Sequence, residues 1–281
     1  MSGGDGEIDP MRNPLKLGMI ASIAASFLLL TVLPAAGQTS AAKIPRLPDG
    51  KPNLNGIWQA MNTANWDLEA HAAHQSLVLD SGAEGAEPGG LSVVEGGDIP
   101  YLPAALEKKK QNHEHRMTAD PEVFCYLPGV PRATYMPYPF QIFQSDKAMA
   151  IAYEYDSAFR NIYLKDPGPA PADSWMGQSF GHWDGETLVV DVTGLDERTW
   201  FDRSGNYHSD ELKVTERYHL VSPDILNYEA TITDPKVYSR PWKISMPLYR
   251  HVEKNAQLLE FKCVEFVEDL MYGKYSKKAG K

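Results

Sequence analysis

The second half of the chain is dominated by short segments in which apolar and polar residues alternate. Residues 147–156 are typical, with Met149, Ile151 and Tyr153 on one side of an extended segment. Alternation with a period of two indicates a β-strand that buries one face. Such segments follow one another at short, regular spacing, and no helical segments separate them. The pattern therefore predicts successive antiparallel strands rather than alternating strands and helices.

Turn residues support the same prediction. Asp184-Gly185 separates two alternating segments and is a strong signal for a tight hairpin. The last alternating segment covers residues 256–266. We therefore predict a mainly β fold: an antiparallel meander over residues 124–281, closed as a barrel of roughly eight strands, with a sandwich as the alternative.

Residues 43–123 have a different composition, which predicts a helical and loop-rich N-terminal extension. Residues 56–58 suit a first short strand. Residues 64–80 and 102–117 suit two helices, and the acidic, glycine-rich stretch between them suits a loop.

The first 42 residues carry the features of a secretory signal peptide. A basic region at residues 11–16 precedes a long apolar run that ends in small residues. An uncleaved membrane anchor is the alternative, because this run is nearly long enough to cross a bilayer. We expect a periplasmic or secreted protein in which residues 1–42 are removed and no stable membrane insertion remains.

Charge and motif content exclude several functional classes. The 281 residues carry a formal net charge of −10 and contain no basic stripe, so nucleic acid is not an expected partner. The chain has no glycine-rich phosphate loop, no dinucleotide fingerprint and no G-x-S-x-G elbow. We therefore expect no cofactor, and a small apolar or aromatic molecule as the partner.

The chain has two cysteines, Cys125 and Cys263. In an oxidising compartment, an isolated pair of cysteines most simply forms one disulfide. The long loop that it would close corresponds to about 4–5 kcal/mol in chain-entropy theory. A nucleophilic cysteine paired with histidine is the alternative.

Five motifs carry a resemblance to a known family: PDGKPNLNGIW, CYLPGVPRATYMPYPFQI, GHWDGETLVVDVTG, TWFDRSGNYHSDELKVTERY and DPKVYSRPWKISMPLYR. They resemble a large family of exported bacterial proteins over almost all of the chain that follows the signal peptide. The resemblance implies export, a compact β-rich domain and a Cys125–Cys263 disulfide, but no particular reaction. The strand pattern is also similar in architecture to lipocalin-like (calycin) barrels, a likeness that does not carry function.

Glu216 breaks the pattern of its strand. Leu212, Val214, Tyr218 and Leu220 share one face, and Glu216 lies in line with them. A buried carboxylate costs several kcal/mol unless a partner compensates its charge. The candidate partners from other strands are Arg160, Arg240, His182 and His208. An arginine partner indicates a structural pair, whereas a histidine or tyrosine partner favours a general acid or base.

Aromatic residues are spread over successive strands and loops. Those on the inner face of a barrel would line a pocket or fill a core. The candidates for substrate binding are Tyr153, Tyr155, Trp175, Tyr218 and Trp242.

Three functional hypotheses follow. The first is an exported barrel enzyme that acts on a small, apolar, oxygenated molecule by acid–base chemistry, with Glu216, His182 and His208 as catalytic residues. The second is a periplasmic carrier of a small ligand with no catalysis. The third is a metal-dependent hydrolase, which requires His182 and His208 to come together; the metal-ligand signal is weak, and we assign no metal site.

Overall fold

The computed structural model describes residues 43–75, 86–267 and Leu270. The predicted signal peptide lies outside these residues. No helix in the described part of the chain has the length and hydropathy needed to cross a bilayer.

Nine β-strands form a closed barrel in which each strand pairs with its neighbours in chain order. The predicted mainly β barrel is confirmed, with nine strands in place of roughly eight. The strands are β1 (Gly56–Ala60), β2 (Phe140–Gln144), β3 (Met149–Tyr153), β4 (Phe159–Tyr163), β5 (Gln178–Asp184), β6 (Thr187–Thr193), β7 (Lys213–Ser222), β8 (Ile225–Thr233) and β9 (Trp242–Arg250).

The odd number of strands explains one departure from a pure meander. A closed ring of strands that alternate in direction must contain an even number, so a ring of nine needs a parallel pair. That pair is β4 and β5, with Ile162 opposite Ser179. Parallel neighbours need a long crossover connection, and the proline-rich residues 164–177 provide it.

The barrel begins earlier in the chain than residue 124. Strand β1, in the predicted extension, pairs with β2 on one side and with β9 on the other. Because β1 occupies the free edge of β9, no edge is left for another strand. The predicted strand at residues 256–266 is accordingly wrong, and that segment runs without a ladder partner.

The two predicted helices have different outcomes. The second is confirmed as α1 (Pro103–Glu114) and α2 (Arg116–Ala119). The first is wrong over residues 64–75, which form turns and isolated bridges, and its remainder lies outside the described residues. The physical reason is tertiary: the Leu68 amide donates to Asp202 Oδ2 (2.9 Å) instead of to a helical carbonyl.

A short helix, α3 (Arg132–Tyr135), leads into the start of β2 and packs against β1. All four of its side chains are buried. Its position places it at the end of the barrel where β2 begins and β3 ends. Two 3₁₀ turns flank this region, at Pro121–Phe124 and Tyr155–Ser157.

Candidate functional site

Glu216 lies inside the barrel, as its strand pattern predicts. On β7, Val214, Glu216 and Tyr218 are buried, while Lys213 and His219 are exposed. The Glu216 side chain is fully buried. The question raised by the sequence is therefore which groups compensate its charge.

Arg160 on β4 is the ionic partner of Glu216. Its Nη2 donates to Glu216 Oε2, and its Nε donates to Ser179 Oγ at 2.7 Å. Burial alone would lower the pKa of the guanidinium, but the Glu216 carboxylate raises it well above its usual value. Arg240, the other candidate arginine, is exposed and donates to Pro241 O (3.3 Å).

Two tyrosines complete the surroundings of the carboxylate. The hydroxyls of Tyr218 and Tyr228 donate to Glu216 Oε1 at 2.9 and 2.8 Å. Burial and the Glu216 charge raise the pKa of both hydroxyls well above their usual value, so both remain neutral donors. We call Arg160, Ser179, Glu216, Tyr218 and Tyr228 the interior network.

The pairing of Glu216 changes the interpretation of its role. A general base needs a lone pair directed at a substrate proton, whereas Glu216 already accepts from Arg160, Tyr218 and Tyr228. A buried carboxylate that is paired with an arginine in this way is a structural ion pair. The geometry therefore gives no support to Glu216 as a catalytic acid or base.

Three polar atoms beside this network lack a hydrogen bond of good geometry to any of the described residues. They are Tyr153 OH, Arg160 Nη1 and Thr134 Oγ1, and all three are buried. Burial raises the pKa of Tyr153, while the charge of Arg160 and weak hydrogen-bond interactions with Thr134 and Arg160 lower it, so the three groups are close neighbours. Buried polar atoms without partners are rare in native proteins and call for an explanation.

The two candidate catalytic histidines lie in different surroundings. His182 is exposed on the outer face of β5, where its ring lies beside Phe180 with centroids 5.9 Å apart. His208 is buried: its Nδ1 donates to Ser209 O (2.8 Å), and its Nε2 accepts from Thr199 Oγ1 (2.6 Å). Burial lowers the pKa of His208 and favours this neutral form.

These positions do not form a metal centre. Among residues 43–75 and 86–267, no group of three histidine, cysteine or acidic side chains is arranged to hold a metal ion. The hydrolase hypothesis required His182 and His208 in one site, and the structure does not bring them together.

The five aromatic residues predicted to bind a substrate lie in different parts of the structure. Tyr153 and Tyr218 lie at the interior network. Trp242 begins β9 beside Phe201 (centroids 5.8 Å apart), which also contacts His208. Tyr155 lies outside the barrel lumen in a 3₁₀ turn.

Trp175, in the β4–β5 crossover, is held between two neighbours. The Tyr126 ring stacks on it at 4.6 Å, and the Arg198 guanidinium lies 4.5 Å from the ring centroid. Both contacts occupy the aromatic system, so Trp175 does not offer a free stacking face.

Three members of the site were not predicted, and the signals for them differ. Tyr228 lies directly opposite Tyr218 on the neighbouring strand, and the alternation of β8 also places it inside. Ser179 is a small polar residue at an inward position of β5. Thr134 lies in a proline-rich segment without periodicity, so no sequence signal was available for it.

A second buried ion network lies at the end of the barrel marked by α3. Arg132 donates through Nε to Asn65 Oδ1 (2.8 Å), through Nη1 and Nη2 to Asp120 (2.9 and 3.0 Å), and through Nη2 to Glu122 (2.6 Å). Arg203 donates twice to Glu122, at 2.8 and 2.7 Å. We call these five residues the cap network.

The cysteines form a disulfide, Cys125–Cys263, which closes a sequence separation of 138 residues. The predicted pairing is confirmed, and the nucleophilic alternative is wrong because neither cysteine is free.

A polar groove of about 210 Å³ lies on the outer face of the barrel, lined by Thr187, Arg217, His219, Asn227 and Glu229. Arg217 is already paired with Asp184 at 2.9 Å. The polar lining of this groove does not suit a mainly apolar ligand.

The comparisons with known proteins add no family. No protein-family model matches the chain, and no curated protein is significantly similar to it.

Proposed function

We propose that this protein is an exported β-barrel binder of a small, mainly apolar molecule that carries a neutral oxygen acceptor. The observation that carries the proposal is a group of three buried polar atoms that lack a well-formed hydrogen bond to any described residue: Tyr153 OH, Arg160 Nη1 and Thr134 Oγ1. A ligand oxygen placed among them would satisfy groups whose burial is otherwise unfavourable.

The charges favour a neutral ligand. The Arg160 guanidinium is already balanced by Glu216, so an anionic ligand would add an uncompensated negative charge to a low-dielectric interior. Arg160 Nη1 can only donate, and the hydroxyls of Tyr153 and Thr134 can donate or accept. A ketone, alcohol or phenol oxygen meets these requirements.

The surroundings of Tyr153 favour an apolar body for the ligand. The Phe140 ring lies 5.5 Å from the Tyr153 ring, and Ile142 and Ile151 are fully buried on the same inner surface. A mostly apolar lining with a few polar anchors is typical of small-molecule sites.

Binding is better supported than catalysis. An acid–base site needs two or more titratable groups that converge on the substrate. Glu216 already accepts from three donors, His208 is engaged through both ring nitrogens, and His182 lies on the outer face. We therefore favour the carrier over the isomerase, hydratase or lyase hypothesis.

Export is part of the proposal. It is supported by the signal-peptide pattern, by the resemblance to exported bacterial proteins and by the disulfide, since disulfides persist in oxidising compartments.

Isothermal titration calorimetry with cyclohexanone, p-cresol and octanoate tests this proposal. We expect the two neutral probes to bind more tightly than the carboxylate. Tyr153→Phe, which removes one hydroxyl anchor, should weaken their binding by about tenfold. Tyr249→Phe, on the outer face of β9, is the matched control and should bind as the wild type does.

Two outcomes would refute the proposal. The first is that no neutral probe binds the oxidised, purified protein. The second is that Tyr153→Phe and the wild type bind the probes equally well, which would show that the unpartnered hydroxyl takes no part in recognition.

A further inference from the structure

The chain after β9 crosses the outside of the protein as an extended segment. We call residues 251–267 the strap. Most of its side chains are exposed, including Val252 (68%) and Leu259 (63%). Exposed apolar residues on a segment without ladder pairing indicate a weakly held element.

The strap is attached at only a few places among the described residues. At its start, the His251 amide donates to Ile57 O (2.9 Å). Further along, the Leu259 amide donates to Glu154 Oε2 (2.7 Å), and the Phe266 amide donates to Val123 O (2.8 Å). Side-chain contacts join His251 Nε2 to Gln59 Oε1 (2.9 Å) and the Tyr155 hydroxyl to Cys263 Sγ (3.9 Å). The covalent attachment is the Cys125–Cys263 disulfide.

Two phenylalanines of the strap pack against the protein: Phe266 lies edge-on against Phe124, with ring centroids 4.8 Å apart, and Phe261 packs between two tyrosines. Its ring lies 4.8 Å from the Tyr138 ring, edge-on, and 5.0 Å from the Tyr155 ring. The two tyrosine rings lie 5.6 Å apart. Tyr138 and Tyr155 thus form a slot with Phe261 as its occupant, and Tyr155 beneath it is only 3% exposed.

We propose that the Tyr138–Tyr155 slot is a binding site for an aromatic ring, which Phe261 fills in cis and which opens when the disulfide is reduced. Edge-to-face and tilted contacts at these distances are the favourable geometry between aromatic rings. An external aromatic group can make the same contacts once Phe261 leaves. The slot lies outside the barrel lumen, so this proposal does not depend on the interior ligand.

The opening step is a thiol–disulfide exchange with a dithiol reductant. One thiolate of the reductant attacks a sulfur of the Cys125–Cys263 bond, forms a mixed disulfide and releases the other cysteine as a thiolate, which takes up a proton. The second thiol of the reductant then displaces the bound cysteine. The reductant ends as a disulfide, and Cys125 and Cys263 end as thiols, after transfer of two electrons and two protons. Both cysteines are half-buried, so a reductant can reach them.

Hydrogen–deuterium exchange with and without dithiothreitol tests the opening. On reduction, we expect protection to be lost in peptides covering the strap and the Tyr155 turn, and to be unchanged in β6–β9. The Cys125→Ser/Cys263→Ser double variant should reproduce the reduced pattern without reductant. Unchanged exchange in the strap, or loss of protection throughout the barrel, would overturn the proposal.

Fluorescence of the aromatic dye anilinonaphthalene sulfonate tests the slot itself. We expect little dye fluorescence with the oxidised protein and an increase in fluorescence after reduction. The Tyr138→Ala substitution should abolish this increase. Phe261→Ala should produce the increase in the oxidised protein, because it empties the slot while the disulfide remains. Val252→Ala, elsewhere on the strap, is the control and should behave as wild type. Dye binding that persists in reduced Tyr138→Ala would overturn the slot assignment, as would an oxidised Phe261→Ala protein that stays dark.

Discussion

Arg132 in the cap network and Arg160 in the interior network are both buried beside carboxylates, but they use their donors differently. All three guanidinium nitrogens of Arg132 donate to side chains. Arg160 donates through Nε and Nη2 only, and its Nη1 has no partner among the described residues. The two arginines are similarly buried, but only Arg132 has a hydrogen-bond partner for each of its three guanidinium nitrogens among the described residues.

The difference separates a structural element from a candidate site. An arginine whose three nitrogens all donate to side chains fixes local geometry, and its guanidinium has no unpaired nitrogen to offer to a ligand. Among the described residues of the cap network, Asn65 Nδ2 is the side-chain donor that lacks a partner. The cap network links the loop before α3 to Asn65 and Arg203 in this way. In the interior network, Arg160 Nη1 has no partner among the described residues, and it lies close to the hydroxyls of Tyr153 and Thr134, which also lack a well-formed hydrogen bond. In our proposal, these three groups, rather than the buried carboxylate, hold the ligand oxygen.

The largest effect is expected for Arg132→Met. Asp120 would lose its cation, and Glu122 would keep only Arg203, so we expect a loss of about 3–5 kcal/mol in the free energy of unfolding. Urea denaturation measures it. Arg198→Met is the control, because the Arg198–Asp196 pair is an exposed one (62% for the arginine side chain) and should contribute at most about 1 kcal/mol. Similar losses for the two variants would contradict the assigned role of the cap network.

The interior network should respond differently to paired substitution. Arg160→Met leaves Glu216 buried without a cation, and we expect a loss of about 3 kcal/mol. Adding Glu216→Gln removes the charge but keeps an oxygen that accepts from Tyr218 and Tyr228, so the double variant should recover at least about 1 kcal/mol. A double-mutant cycle in urea measures this. A double variant less stable than Arg160→Met would contradict a simple ion pair.

Lowering the pH should destabilise the fold by protonating Glu122 in the cap network. Burial alone would raise its pKa, but Arg203 and Arg132 lower it from 4.5 to about 2. An acid with a depressed pKa stabilises the fold above its unfolded pKa, and this contribution disappears as pH falls from about 4.5 to about 2. The shift corresponds to about 3 kcal/mol.

Stability measured from pH 6 to pH 2 tests this linkage. The stability difference between wild type and Glu122→Gln should shrink as pH falls through that window, because only the wild type loses the contribution. Glu107→Gln, at an exposed position of α1, should keep the acid response of the wild type. A constant difference between wild type and Glu122→Gln across the window would rule out the linkage.

The smallest changes in stability are expected for two tyrosine-to-phenylalanine variants. One removes a hydroxyl that donates to Glu216, and the other removes a hydroxyl that has no well-formed hydrogen bond to any described residue. Tyr228→Phe removes a donor to a buried carboxylate and should lower the free energy of unfolding by about 1.5–3 kcal/mol. Tyr153→Phe removes a hydroxyl without a partner and should change stability by less than about 0.5 kcal/mol, or raise it slightly. Thermal unfolding in the absence of ligand measures both. A large loss in Tyr153→Phe would show that its hydroxyl is satisfied.

The sequence predicts local features of this fold well and partner choice poorly. The period of two in β7 correctly placed Glu216 inside and Arg217 outside, because alternation is a local property of extended chain. It did not select among the four candidate partners of Glu216. Arg160 lies on β4, which is separated from β7 by two strands, so the contact forms across the barrel interior and has no local signal.

The failed predictions have the same origin. Residues 64–75 have a helical composition, but the Leu68 amide donates to the buried carboxylate of Asp202, which is distant in the chain. Residues 256–266 alternate like a strand, but β1 occupies the edge that they would need. In both cases, a long-range contact overrides local propensity.

What the sequence alone determined is the class of fold, the inward position of Glu216 and the pairing of the only two cysteines, since these follow from periodicity, polarity and count. Only the tertiary structure decided that the barrel has nine strands with one parallel pair, that Arg160 compensates Glu216, and that the hydroxyls of Tyr153 and Thr134 lack a well-formed hydrogen bond to any described residue. The physical reason is closure: a barrel brings together side chains from strands that are distant in the chain, and the hydrogen bonds that result depend on all of those strands at once.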